Sequence, residues 1–499
     1  MTAPSTMSAT GHPLAPVDLL ADLDAGHGVW VDGAGHAAAG GATFDVLDPA
    51  TGRAITTVAD GGAVDATRAV DAAQRAHRTW AATAPRVRSE ALRAAFELMV
   101  ADSERLAALI SWENGKCLAD ARAEVGYAAE FFRWFAEEAV RSDGEYGVSP
   151  AGGTRTVVTH KPVGVAALVT PWNFPAAMAT RKIGPALAAG CTVVLKPAAE
   201  TPLTALAVAR ILTEAGVPDG VVNVVPATDP GSVVTAWLED PRVRKISFTG
   251  STAVGRTLLR QAADRVVNAS MELGGNAPFV VTEDADLEAA VSGAMVAKFR
   301  NGGQACTAAN RFYVHASVAD EFTARFGAAV ESLTVGPAFD EDNQVGPLIS
   351  EKARDGVAAL VKGALDAGAR VAHQAVTTGD GWFYPPTLLT GVPADADILR
   401  EEIFGPVAPV VTWTSDEELL RLVNDTEMGL AAYVYAGDLK RAVQLSERID
   451  AGMVGVNRGV VSDPATPFGG VKQSGLGREG ARAGIEAFQE TQYLSVDWS

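Results

Sequence analysis

One strand–helix–strand unit can be read directly at residues 164–197, GVAALVTPWNFPAAMATRKIGPALAAGCTVVLKP. The apolar run GVAALVT predicts a buried strand, and residues 176–189 predict a helix. Gly190 can end that helix in the left-handed conformation, and CTVVLKP then predicts a second strand. Two strands joined by a helix are expected to pair in parallel, as in a βαβ unit.

The same alternation continues towards the C-terminus. Strands are predicted at VVNVV and KISFTG, with helices opening at Thr201, near residues 231–238 and from Ser251. A largely helical segment precedes the unit, and a second alternating series runs from residue 276 to about residue 457. The sequence therefore predicts two α/β domains with parallel sheets. Ligands of such sheets bind at the carboxyl ends of strands, so residues 170–173, 196–197 and 249–251 are expected to face one crevice.

The length and the composition of the chain agree with a globular protein of more than one domain. The chain has 499 residues, which is more than one hydrophobic core usually supports. Its residues are 48% hydrophobic and 20% charged, as in globular proteins. We find no uninterrupted apolar run of about 18 residues and no secretory signal in residues 1–25, which are predicted to form a tail. Three scattered cysteines do not suggest a disulfide framework, so a reducing cytoplasmic location is expected.

The charged residues and the histidines narrow the class of function. A formal net charge of −19 argues against a nucleic acid partner. The seven histidines lie far apart without an HxH or HExxH pair, so no metal site is predicted.

Cys306, in the stretch FRNGGQACTAAN, has two interpretations. It is either a small buried residue or a nucleophile on a glycine-rich loop that can approach a ligand closely. A cysteine nucleophile needs a base, and no histidine lies in any of the polar motifs. Glu272 in SMELGGNAP is the candidate, because a carboxylate among apolar residues and glycines should have a raised pKa. The alternative for Glu272 is an ordinary turn glutamate that pairs with a lysine.

Three further polar positions follow predicted strands. Asn173 in TPWNFP offers an amide donor for an oxyanion, although asparagine is also common in turns. Lys196 either reaches solvent or binds the hydroxyls or phosphate of a ligand. The glycines around Ser251 in FTGSTAVG could expose amides at a helix N-terminus to a pyrophosphate, which alone is a weak signal.

Together these segments resemble the NAD(P)-dependent aldehyde dehydrogenase superfamily. The similarity runs from about residue 46 to the C-terminus through TPWNFP, LKPA, FTGSTAVG, MELGGNAP, GGQACT, EEIFGP and PFGGVKQSGLGREG. It implies an α/β fold with two parallel-sheet, Rossmann-like domains and a small β oligomerisation element. The implied parts are a tail at 1–25, a dinucleotide-binding domain at 26–150 and 164–271, a catalytic domain at 272–458, and oligomerisation strands at 151–163 and 486–499.

The resemblance also implies a reaction. The Cys306 thiolate attacks an aldehyde, Asn173 and the Cys306 amide hold the oxyanion, and hydride transfer leaves a thioester that water activated by Glu272 hydrolyses. The matching cofactor-binding positions are Thr170, Trp172, Asn173, Lys196, Ala199, Gly250, Ser251, Leu273, Glu402 and Phe404.

Within the superfamily the chain is most similar to the succinate-semialdehyde dehydrogenases. Their carboxylate-binding positions match Arg181, Arg300 and Ser462, and arginine suits a carboxylate because it can bind it through two hydrogen bonds. Two departures are notable. Ala199 replaces the glutamate typical of NAD-preferring members, so NADP is expected to be accepted and preferred over NAD. Ala308 stands where some members carry a second cysteine, so their disulfide switch is expected to be absent.

Other functions remain compatible with the sequence. The nearest is a dehydrogenase for neutral aliphatic or aromatic aldehydes. A cofactor-independent cysteine hydrolase, a non-catalytic binding protein and an acyl-CoA-forming enzyme are more distant, and Glu272 favours hydrolysis over the last of these. A terminal strand without an obvious partner in the chain suggests sheet formation between subunits, and hence a homo-oligomeric dimer or tetramer.

Overall fold

The computed structural model describes residues 27–141, 143–377, 379 and 381–498. The tail predicted at residues 1–25 lies outside these described residues. Within them, two large and mostly parallel sheets are each packed against helices, with a small antiparallel sheet beside them. This arrangement confirms the predicted α/β class with two parallel sheets.

The first sheet has eight strands, of which the central five are parallel. In spatial order the strands are Ala34–His36, Val29–Val31, Val222–Val224, Thr192–Lys196, Val165–Val169, Val243–Thr249, Asn268–Glu272 and Gly475–Leu476. The parallel part of this sheet begins at Val165–Val169, continues with two strands to one side, and returns with Val243–Thr249 on the other side. The loops after these two neighbouring strands therefore diverge, which leaves a crevice at their carboxyl ends.

The central strands read as apolar runs because both faces of the sheet are covered. In Val165–Val169, Ala166 and Leu168 belong to one hydrophobic core, and the other three residues belong to a second core on the opposite face. The helices that belong to this half of the chain are Ala63–Ala82, Pro85–Ala101, Ser103–Asn114, Leu118–Ala139, Pro175–Ala189, Pro202–Glu214, Pro230–Glu239 and Thr252–Ala263.

The helix Pro175–Ala189 is buried along its whole length, including both of its adjacent cations. Its many alanines let it pack closely between the sheet and the helix Leu118–Ala139, since a helix that is small and apolar all round belongs in a core. It ends at Gly190, whose φ of 95° is the left-handed conformation expected from the sequence. This helix carries Arg181 and begins directly after the Trp172–Asn173 turn, so it fixes part of the candidate site.

The second sheet has seven strands, parallel except for one edge strand. In spatial order they are Arg370–Gln374, Thr387–Thr390, Val407–Trp413, Ala309–His315, Ala277–Val281, Ala431–Tyr435 and Met453–Val456. Its helices are Leu287–Phe299, Ala319–Glu331, Glu351–Asp366, Asp416–Asn424 and Leu439–Ser446, with short 3₁₀ turns at Arg300–Gly303 and Asp397–Leu399.

The small antiparallel sheet differs from expectation in one way. Its strand Thr154–Pro162 is followed by Val165–Val169 of the first large sheet, and the chain turns between the two at Gly164 with a φ of 128°. The C-terminal strand Gln489–Asp497, which follows the helix Ala481–Glu486, was expected to need a partner in another subunit. It instead pairs along nine residues with Thr154–Pro162 of its own chain.

The third strand of this sheet, Glu145–Val148, lies in the stretch assigned above to the dinucleotide-binding domain. Two short antiparallel pairs complete the strands, Thr43–Asp48 with Arg53–Ala59 and Met428–Gly429 with Val471–Lys472. The domain boundaries and the oligomerisation role of the small sheet stay predictions.

Candidate active site

A cavity of about 240 Å³ lies in the crevice between the two sheets' carboxyl ends. Its lining comes from the turns after Val165–Val169, Val243–Thr249 and Asn268–Glu272, and from two loops of the second half of the chain. Predicted site residues that line it are Trp172, Asn173, Gly250, Ser251, Leu273, Cys306, Glu402 and Phe404. Positions scattered over more than 200 residues of sequence therefore share one cavity.

Two aromatic rings form one wall of this cavity. Trp172 and Phe404 meet edge to face with 5.4 Å between ring centroids. Phe404 has a φ of 49°, which is uncommon for a residue with a large side chain and marks a strained main chain at this point of the loop. Glu402 accepts a hydrogen bond from the Gly275 amide at 3.2 Å, and burial raises the pKa of its carboxyl to about 7.

Cys306 lies partly buried on a tight loop after the helix Leu287–Phe299. The loop begins with the left-handed residues Asn301, Gly302 and Gly303, which turn the chain back towards the cavity. Gly275 allows the close approach of the two segments, since a Cβ there would lie 2.3 Å from the Cys306 carbonyl oxygen. The double glycine of MELGGNAP thus makes room for the loop that carries the thiol.

The surroundings of the Cys306 thiol favour its protonated form. Burial raises its pKa to about 12; Arg181 acts in the opposite direction, while the carboxyls of Glu402 and Glu272 raise the pKa further. A thiolate must therefore be generated by proton transfer to a base.

Glu272 ends its strand with its carboxyl buried; it does not itself line the cavity, but the next two residues, Leu273 and Gly274, do. Burial raises its pKa well above the usual range, and Glu479 adds to the shift while Arg181 and Lys182 oppose it. Its Oε2 atom has no hydrogen-bond partner among the described residues. Gly469 leaves space for the group, because a Cβ there would come within 2.9 Å of Glu272 Oε1. A raised pKa and an open oxygen are the properties of a general base.

Asn173 is held by one side-chain hydrogen bond and keeps a second N–H available. Its Nδ2 atom donates to the Gln304 carbonyl oxygen at 3.1 Å, and Gln304 lies two residues before Cys306. An amide nitrogen carries two donors, so the other N–H can point into the cavity. The contact also ties the Trp172–Asn173 turn directly to the loop of the thiol.

Thr170, Lys196 and Ala199 lie beside the cavity lining, not in it. Thr170 and Lys196 lie next to each other at the carboxyl ends of two neighbouring parallel strands. The Thr170 amide donates to the Lys196 carbonyl oxygen at 3.1 Å. Lys196 is buried, and burial lowers the pKa of its ammonium group to about 8, against the effect of Glu200, Asp60 and Asp229. Ser251 caps the helix Thr252–Ala263 by accepting from the Val254 amide.

The three predicted substrate-binding residues have different surroundings. Arg181 is buried in an ion pair with Glu479, with 2.6 Å between Nε and Oε2, and its guanidinium lies 4.1 Å from the Phe468 ring centroid. Arg300 is half-buried with its guanidinium 5.3 Å from the Phe174 ring centroid, and none of the described carboxylates forms an ion pair with it. Ser462 lines a neighbouring cavity of about 320 Å³ that Cys306 does not line.

The sequence analysis missed a buried charge cluster behind the cavity. Lys182 donates to Ser247 Oγ at 2.9 Å and also pairs with Glu479, the carboxylate that holds Arg181. The sequence did indicate such a cluster, because two adjacent cations in an otherwise apolar helix need a buried anion as their partner. The partner could not be named from sequence, since Glu479 lies in a distant glycine-rich segment.

A second missed set lies near the end of the helix Ser103–Asn114 and in the segment that follows it. Asn114 donates to the Trp172 carbonyl oxygen at 2.9 Å, and Lys116 donates to that of Asn173 at 2.7 Å.

Among the described residues, no group of three or more histidine, cysteine or acidic side chains is placed to hold a metal ion. No helix within the residues that the structure describes is long and apolar enough to cross a membrane.

The chain belongs to the aldehyde dehydrogenase family. A sequence model of that family matches residues 36–494, which contain every site residue discussed above. The protein is therefore an oxidoreductase of this family.

Named relatives show the range of the similarity. The chain is 55% identical to the succinate-semialdehyde dehydrogenase of Paenarthrobacter nicotinovorans, over 89% of this chain and 98% of the relative. It is 46% identical to the succinate-semialdehyde dehydrogenase (NADP+) of Escherichia coli, over 94% and 96% of the two chains. The crystal structure of succinate-semialdehyde dehydrogenase from Burkholderia pseudomallei superimposes with a TM-score of 0.94 at 47% identity, covering 97% of this chain and 99% of that one.

Proposed function

We propose that this enzyme oxidises succinate semialdehyde, or its homologue glutarate semialdehyde, to the dicarboxylic acid with NADP or NAD. The observation that carries the proposal is the cavity that brings Cys306 and Asn173 together above the buried carboxyl of Glu272, with the half-buried Arg300 close enough to influence the thiol. The names of the similar proteins support the same substrate class.

The residues divide the reaction between them. Glu272 takes the proton of the Cys306 thiol, and the thiolate sulfur forms a bond to the aldehyde carbon. The free N–H of Asn173 and the Cys306 amide stabilise the negative charge that develops on the aldehyde oxygen. Glu272 passes the thiol proton on to solvent and becomes a carboxylate again. After the carbon is oxidised, this carboxylate removes a proton from water, which attacks the thioester. The C–S bond breaks, the carboxylic acid leaves, and the proton returns to sulfur.

The crevice fits a nicotinamide dinucleotide. It lies at the point where the strand order reverses, an N-terminus of a twelve-residue helix opens beside Gly250 and Ser251, and Trp172 and Phe404 form an aromatic wall. Glu402 would hold the ribose and Leu273 and Phe404 the ring, with Thr170, Lys196 and Ala199 towards the adenosine end. The dinucleotide supplies the hydride acceptor for the oxidation.

A carboxylated aldehyde is favoured over a neutral one by the charge balance. Glu479 already neutralises much of the Arg181 charge, whereas Arg300 has no ionic partner among the described residues. Arg300 is therefore proposed as the main contact of the distal carboxylate, with Arg181 and Ser462 as supporting contacts. Steady-state rates with succinate semialdehyde, glutarate semialdehyde, hexanal and benzaldehyde, each with NAD and NADP, test the function; faster turnover of hexanal or benzaldehyde would contradict it.

An Arg300→Leu variant should raise the KM for succinate semialdehyde by about 30-fold to 200-fold, because a charge-assisted contact worth about 2–3 kcal/mol is lost. The KM for hexanal should not rise. The control is Arg86→Leu, which removes an exposed arginine of a surface ion pair and should change neither constant. An unchanged KM for succinate semialdehyde in Arg300→Leu would show that another group binds the carboxylate.

Lys196→Met should weaken the binding of NADP more than the binding of NAD. With alanine at position 199, no carboxylate from that position faces the 2′-phosphate, and Lys196 is the cation placed to pair with it. We expect the KM for NADP to rise by about tenfold or more and the KM for NAD by about threefold or less, because only the former loses an ion pair. Equal changes for the two cofactors would mean that Lys196 contacts the shared part of the dinucleotide.

A cytoplasmic homo-oligomer is part of the same proposal. All three cysteines are free thiols, which suits a reducing compartment. The small antiparallel sheet carries the exposed apolar side chains of Tyr146, Val148, Tyr493 and Leu494, which a second subunit would cover. A cofactor-independent cysteine hydrolase would leave the crevice beside Lys196 without a purpose.

A further inference from the structure

A buried ion pair lies directly behind the turn that carries Asn173. Lys116 follows the helix Ser103–Asn114, and Glu124 belongs to the next helix, Leu118–Ala139. Their Nζ and Oε2 atoms are 2.6 Å apart, and both side chains have 0% exposure. Neither residue enters the reaction described above.

The pair contacts the main chain on both sides of Phe174. Lys116 Nζ donates to the Asn173 carbonyl oxygen at 2.7 Å and lies 4.1 Å from the centroid of the Phe174 ring. Glu124 Oε1 accepts from the amides of Ala176 at 2.9 Å and Ala177 at 3.2 Å. Its negative charge thus meets two free amides at the start of the helix Pro175–Ala189, where an anion is favoured.

A second contact reaches the same carbonyl oxygen from the loop of the thiol. Asn301 Nδ2 donates to the Asn173 carbonyl oxygen at 2.9 Å and to that of Gln304 at 3.1 Å. The Asn301 amide in turn donates to Asp120 Oδ2 at 2.7 Å, one helical turn before Glu124. Both lone pairs of the Asn173 carbonyl are therefore used, and its main chain is fixed relative to the thiol.

Stability alone gives a poor explanation for this pair. The desolvation of two buried charges offsets most of their attraction, so well-packed apolar residues often stabilise a core equally well. Three hydrogen bonds from the pair to the main chain of residues 173–177, in contrast, specify the position of this segment. A displacement of about 1 Å at a catalytic group can lower a rate by about a hundredfold.

We infer that Lys116 and Glu124 are positioning residues that set the side-chain amide of Asn173 where the oxyanion develops. The inference rests on the proposed role of Asn173. The pair acts before any substrate binds, because its contacts are all within the protein. Its loss should therefore affect the rate of the chemical step more than the binding of the aldehyde.

The experiment compares Lys116→Met with the double variant Lys116→Met/Glu124→Leu. The single change leaves a buried unpaired carboxylate and should lower the melting temperature, whereas the double change removes both charges and should restore most of it. We expect kcat of the double variant to stay about tenfold to a hundredfold below that of the wild type, with KM changed by about threefold or less. Recovery of kcat together with the melting temperature would overturn the inference.

A double-mutant cycle with Asn173→Ala separates positioning from other effects. If the pair acts through Asn173, removing it in the Asn173→Ala background should lower kcat by about twofold or less, whereas independent roles would give additive losses and overturn the inference. Glu124→Gln, which keeps the shape of the side chain, replaces the double variant in the same cycle if the latter does not fold.

Arg88→Met is the matched control for loss of a buried cation. Arg88 donates to the Ala188 carbonyl oxygen at the C-terminal end of the helix Pro175–Ala189, far from Asn173. Its loss should therefore lower the melting temperature without changing kcat. Wild-type rates on the aldehyde panel test the proposed function separately, because the cycle uses ratios of kcat on whichever aldehyde is turned over.

Discussion

Cys306→Ala should lower the rate of reduced cofactor formation by at least about 10,000-fold, the scale seen when an enzyme loses its nucleophile. The reason is chemical, since alanine cannot form the bond to the aldehyde carbon that precedes oxidation. Stopped-flow absorbance of the reduced nicotinamide measures both the first turnover and the steady state. Both should disappear, while binding of the oxidised cofactor, followed by protein fluorescence, should persist.

Cys191→Ala is the control for this variant. Cys191 is buried within the first sheet's core, where its thiol donates to the Phe488 carbonyl oxygen at 3.3 Å and burial raises its pKa to about 11. It lies outside the cavity lining, so its loss should leave kcat unchanged. Turnover by Cys306→Ala at a rate near that of the wild type would show that the nucleophile is a different group.

Glu272→Gln should separate the two halves of the reaction. The amide cannot activate water, so the thioester should accumulate and steady-state turnover should fall by about 100-fold to 10,000-fold, the usual contribution of a general base. The variant also lacks the base that takes the thiol proton, so a burst of at most one equivalent of reduced cofactor should form, more slowly than in the wild type. A burst at the wild-type rate would show that Glu272 acts only in hydrolysis of the thioester.

The pH dependence gives an independent measurement of the same carboxyl. Because burial raises the pKa of Glu272, the group is protonated and inactive as a base at pH values where an exposed glutamate is already ionised. The wild-type kcat should therefore rise with pH through this raised pKa, and the rising limb should be absent in Glu272→Gln. Glu283→Gln, which changes a surface carboxylate paired with Arg441, should keep the wild-type profile.

The cavity lining was predictable because it follows from strand order. Trp172, Asn173, Gly250 and Ser251 come directly after apolar strands, and parallel strands of one sheet place their carboxyl ends at one edge. Leu273 also follows its strand directly, whereas Cys306 lies on a glycine-rich loop after a helix and was predicted from the glycines of that loop. For such residues the local sequence contains the information that the fold uses.

Contacts between distant buried charges could not be predicted in this way. Nothing in the local sequence shows that Arg181 is buried against Glu479, which belongs to a segment without a clear period. Lys116 lies between two helices and Glu124 within the second of them, and the apolar pattern of these helices gives no indication of what either side chain will contact. Ser462 matched the family by position, but only the path of its loop determines which cavity it lines.

The late segment of the chain also governs when the enzyme becomes reactive during its synthesis. The strand Gly475–Leu476 pairs with Met271 and Glu272, and the Ser474 carbonyl oxygen accepts from the Leu273 amide at 2.9 Å. Glu479, which holds Arg181 and Lys182, follows a few residues later. A nascent chain that has not yet reached this segment lacks these contacts around Glu272 and Arg181. We therefore expect a chain truncated before residue 474 to be inactive, even where the strands of both sheets that precede it have formed.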